Sequence, residues 1–76
     1  MDNLTESQIF QSVLMEYKGV PVILTTIMGV YTTEYWYHLE GYGVMRLALG
    51  VDRETPRPTD GEIINNINFE ELEKDL

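Results

Sequence analysis

His38 is the only histidine in a chain of 76 residues, and on an extended segment it shares a face with Glu34 and Glu40. Three donors at that spacing could ligate a divalent cation. The ordinary reading is a solvent-facing polar strand surface. There is no second histidine, and without cysteine no thiolate zinc site can be built. Nucleophilic catalysis finds less support still. Ser7 and Ser12 lack the glycine setting of a nucleophile elbow. Gly41-x-Gly43 lacks the third glycine and the following helix that would cradle a dinucleotide phosphate. Thirteen Asp and Glu residues offer no spacing that selects two for acid-base work. The sequence therefore predicts no catalytic residue, no metal ligand, no cofactor and no enzyme, with a small enzyme or metal-binding protein kept as a distant alternative.

Residue types that favour protein contact are easier to find. Tyr31, Tyr35, Trp36, Tyr37 and Tyr42 place five of the eight aromatic residues within twelve positions. Tyr31, Tyr35 and Tyr37 share one strand face and read as core. Trp36 and Tyr42 are the candidates for a partner-binding surface, because tryptophan and tyrosine dominate interface hot spots. Arg53 and Arg57 sit in a proline-bearing segment and could pair with carboxylates of a partner or a second copy. Glu70, Glu71, Glu73 and Asp75 make an acidic C-terminal segment, read either as a solvated face or as a mimic of phosphate spacing that enters a basic cleft.

The elements that must position these residues follow from periodicity. Thr5 with Gln8 has capping-box spacing, and Ile9, Phe10, Val13, Leu14 and Tyr17 recur on one helical stripe that Gly19 can end. This predicts an N-terminal amphipathic helix at about residues 6–18. Residues 20–27 are β-branched and apolar on both parities, as in a strand covered on both faces. Residues 30–40 alternate, with Tyr31, Thr33, Tyr35, Tyr37 and Leu39 opposite Glu34, Trp36 and His38. Residues 44–51 make a third strand, with Met45, Leu47, Leu49 and Val51 on one face. Residues 52–61 read as an exposed loop. Residues 62–68 suit a fourth strand slightly better than a helix capped by Asp60. Asn68 with Glu71 opens a short acidic helix or tail over 69–76. The predicted class is α+β, one small domain spanning 1–76 with a three- to four-stranded antiparallel meander, and a small SH3-like or Sm-like barrel is the main variant.

Charge narrows the partners. Thirteen acids against five bases leave a formal net charge of -8, which repels phosphate backbones and anionic lipid and attracts basic protein surfaces. Direct nucleic-acid binding is not expected. The sequence offers neither a leader pattern nor an apolar run of membrane-spanning length, which predicts a cytoplasmic protein. The functional expectation is a small acidic protein-binding module, of the kind that phages and mobile elements use as accessory or inhibitory proteins, occupying a basic, nucleic-acid-binding surface of its partner. The alternative is a self-assembling module that forms a homo-oligomer, either a dimer or an Sm-like ring.

Overall fold

The computed structural model describes residues 8–76. Four strands come first: β1 (Gln8–Tyr17), β2 (Val20–Met28), β3 (Thr32–Leu39) and β4 (Arg46–Asp52). Two one-turn helices follow, α1 (Asp60–Ile64) and α2 (Phe69–Glu73). The strands form one antiparallel sheet in the order β1-β2-β3-β4. The fold is α+β.

The segment read as the N-terminal helix is instead the edge strand β1. Residues 6 and 7 of that reading lie outside the described residues, and Gln8 to Tyr17 pair with β2 throughout. A bulge between Val13 and Met15 shifts the pleat by one residue. The apolar residues then fall on both faces at positions that imitate a helical stripe. Gly19, read as a helix stop, closes a two-residue hairpin. Lys18 and Gly19 have φ of 53° and 84°, the paired positive values of a type I′ turn whose twist matches the strands it joins.

The expected strand at 62–68 is also replaced. Thr59 accepts from the Glu62 N–H at 3.1 Å, while the Glu62 carboxylate accepts from the Thr59 N–H at 2.8 Å, and this reciprocal capping box starts α1. Asn68 caps α2 by accepting from the Glu71 N–H at 3.2 Å, the pair expected from the sequence. The barrel variant is not formed among the described residues: β1 and β4 do not pair and stand at opposite edges of an open sheet.

Both helices lie on one face of the sheet. Val22, Tyr37, Leu39, Ile67 and Leu72 form one buried cluster, and Leu24, Tyr35 and Ile63 form a second. α2 is fastened at both sides of the sheet. Phe69 packs on Tyr17 with ring centroids 5.0 Å apart, Lys18 pairs with Glu73, and Arg46 holds Asp75 through two hydrogen bonds of 2.8 and 3.1 Å. Between these, the Tyr37 hydroxyl accepts from the Asn68 N–H at 3.1 Å. Tyr35 and Tyr37 are thus core residues, as their parity predicted. Tyr31 is a correction: it precedes β3 and is 82% exposed.

Candidate functional site

The second face of the sheet has no covering layer among the described residues. Alternation places Ile9, Gln11, Val13 and Glu16 of β1 on it, opposite Ile27, Thr25, Ile23 and Pro21 of β2. Glu34, Trp36 and His38 continue it across β3, followed by Gly50 and Leu47 of β4. Leu47 was expected beside Leu49. A bulge opposite Tyr35 and Trp36 turns Ala48 into the core cluster and leaves Leu47 on the open face, half exposed.

The floor of this face is apolar with a polar seam. Ile9 and Val13 are 62% and 63% exposed. Trp36 lies between Thr25 and Leu47 in the register. Its indole N–H donates to Glu34 at 2.9 Å, so the ring's one polar atom is satisfied and its carbon surface remains. The Gln11 amide donates to the Thr25 hydroxyl at 3.1 Å. The Nδ1 of His38 is buried with no hydrogen-bond partner among the described residues. A cavity of about 470 Å³ opens between Val13, Ile23, His38 and Glu40.

Charge is segregated across the sheet. Glu16, Glu34, Glu40 and Asp52 fall on the open face by alternation. None of the five cations does. Lys18 and Arg46 turn to α2, Lys74 follows α2 itself, and Arg53 and Arg57 line a cavity on the helix side.

The sequence-predicted partner residues therefore do not gather into one site. Trp36 stands on the open face. Tyr42 is exposed in the connection between β3 and β4. Arg53 donates to the Gly29 carbonyl at 3.2 Å, and Arg57 to the Pro58 carbonyl at 2.8 Å and to Asp60 at 3.2 Å. In the acidic segment Glu70 and Glu71 are exposed and make no ion pair among the described residues. Glu73 accepts from Lys18 and from the Tyr17 hydroxyl, which hold its carboxyl below the ordinary value. Asp75 is likewise lowered, first by its hydrogen bonds to Arg46. The same contacts raise Lys18 and Arg46. Tyr17 is raised by desolvation and then by its bond to Glu73. These two carboxylates fasten a helix.

Compared with known proteins, the chain matches no family model, no curated protein and no solved structure. The site must be read from its own residues.

Ile9, Val13, Ile23, Ile27 and Leu47 were missed as site residues. One signal was available. The 20–27 segment reads as a strand covered on both faces, and this chain supplies a cover for only one of them among the described residues. Among these residues no three His, Cys, Asp or Glu side chains converge as metal ligands. No helix among the described residues is long and apolar enough to cross a membrane.

Proposed function

We propose that the chain is a non-enzymatic protein-binding module that receives a partner on the open face of its sheet, and that the partner surface is apolar at its centre and rich in Lys and Arg at its rim. The observation that carries this reading is the pairing, among the described residues, of an uncovered apolar floor with a rim whose charged groups are all carboxylates. Uncovered apolar surface of this kind marks interaction sites. A one-signed rim selects an oppositely charged partner and speeds its approach. Four strands at about 4.8 Å spacing and runs of roughly seven residues at ~3.3 Å each make a face about 20 Å across. That plan area of about 400 Å² is the centre of a contact that extends over its rim to approach the ~800 Å² each partner contributes to a specific interface. Trp36 is the central anchor.

This reading is compatible with the inhibitor-like role expected from composition, because grooves that hold single-stranded nucleic acid combine basic residues with aromatic stacking platforms. It moves the contact from the C-terminal acids to the sheet. The test is the affinity of the complex against salt: binding that weakens as salt rises, and that Leu47→Asp abolishes, supports the reading. Binding indifferent to both refutes it.

A further inference from the structure

We propose that a second site lies on the helix-covered side of the sheet, where Arg53 and Arg57 hold the phosphate of a small phosphate-bearing ligand. The site lies at the Met28 end of β1 and β2, away from the contacts of α2 with Tyr17 and Arg46. There a cavity of about 390 Å³, within the range of small-ligand sites, is walled by Arg53 and Arg57 together with the hydroxyl-bearing residues Ser12, Thr26, Thr33 and Thr55. Phe10 and Tyr35 supply its apolar surface.

Two features make this more than a gap between side chains. Among the described residues no carboxylate lines this cavity, whereas the other principal cavities have Glu70 and Glu71, Glu40, Glu62, or Glu34 in their walls. The guanidinium groups are also anchored without being used up. Arg53 gives one N–H to Gly29, and Arg57 gives two groups to Pro58 and Asp60 while lying 5.9 Å over the Tyr35 ring. Each guanidinium carries five N–H donors, so both keep donors for an anion, and forked donors fit phosphate oxygens. Repulsion from the chain's net charge is screened beyond about 8 Å at physiological salt, so the nearby cations govern the bound state. The ligand class is a phosphate monoester with a flat or apolar body that can lie on Phe10, which is 55% exposed. The site is on the opposite side of the sheet from the proposed protein-binding face, and neither depends on the other.

The experiment is a nuclear magnetic resonance titration of the whole chain with adenosine monophosphate, inorganic phosphate and adenosine. Saturable shifts at Thr26, Thr33, Thr55 and Arg57 with the monophosphate, absent with adenosine, are expected. The Arg53→Gln/Arg57→Gln variant should weaken them at least ~10-fold through lost charge-assisted hydrogen bonds. Arg57→Gln alone keeps the Arg53 contact to Gly29 and should also weaken binding if the double variant loses its fold. Failure of phosphate and monophosphate to saturate, equal binding of adenosine, or unchanged affinity in the variants would overturn the site.

Discussion

Leu47 and Leu49 stand two residues apart in β4 and face opposite sides of the sheet. Leu49 pairs with the buried Tyr35, whereas Leu47 pairs with Trp36 on the open face. The bulge at Ala48 makes the difference. An unbroken strand would have put both leucines under the helices and left the face around Trp36 without its apolar neighbour.

That geometry makes the two leucines separable. Leu47→Asp removes an exposed side chain and should change stability by no more than about 0.5 kcal/mol. Leu72→Ala, by contrast, empties a wholly buried position beneath α2 and should cost about 2–5 kcal/mol. Urea unfolding followed by circular dichroism checks both.

The hairpin between β1 and β2 should be intolerant at Gly19. Its φ of 84° suits glycine alone among common residues without strain, and Gly19→Ala should destabilise by about 1–2 kcal/mol although nothing lies near the added methyl. An unchanged urea midpoint would contradict the type I′ assignment and the pairing of β1 that rests on it.

Tyr37→Phe tests the docking of α2 from beneath. The ring stays in the core, but the Asn68 N–H loses its acceptor, a loss of about 1 kcal/mol. Hydrogen exchange at the Asn68 amide should accelerate in the variant, and exchange at the wild-type rate would place that bond elsewhere.

Acid should loosen the same helix. Glu73 and Asp75 have carboxyls lowered from 4.5 and 3.8 by Lys18 and Arg46 respectively. A carboxylate lowered on folding contributes stability that is complete above its unfolded value and is lost as the pH falls through its folded value. The gap in thermal midpoint between wild type and Asp75→Asn should therefore be constant from neutral pH down to about pH 5 and close below the ordinary aspartate value. Relief of net charge acts on both chains alike and cancels in the difference. A gap that does not change with pH would remove the Arg46–Asp75 pair as a fastener.

The sequence made the central sheet legible and its borders obscure. β2 is a continuous β-branched apolar run and β3 alternates without a break, and the sequence places both within a residue or two of their observed ends. β1 failed because its bulge at Val13 to Met15 breaks the period of two, and the apolar residues of its two faces then match a helical stripe. Leu47 failed for the same reason in β4. Residues 62–68 failed because Ile63 and Ile67 satisfy either period, while Thr59, which starts the helix, was passed over for Asp60. Of the site, Trp36 was legible from its residue type. Its neighbours come from three other strands and required the register.

The most direct test of the proposed face is comparative capture from a host lysate at low salt, using wild type, Trp36→Ala, Leu47→Asp and Glu70→Lys/Glu71→Lys as baits. The account predicts that one basic protein binds wild type and the helix-side charge variant, is lost from both open-face variants, and is released by high salt. Retention by Trp36→Ala and Leu47→Asp with loss from Glu70→Lys/Glu71→Lys would contradict it and return the contact to the acidic helix. Recovery of the bait alone as a salt-resistant multiple of its own mass, broken by Leu47→Asp, would contradict it as well and identify the occupant of the face as a second copy of the chain.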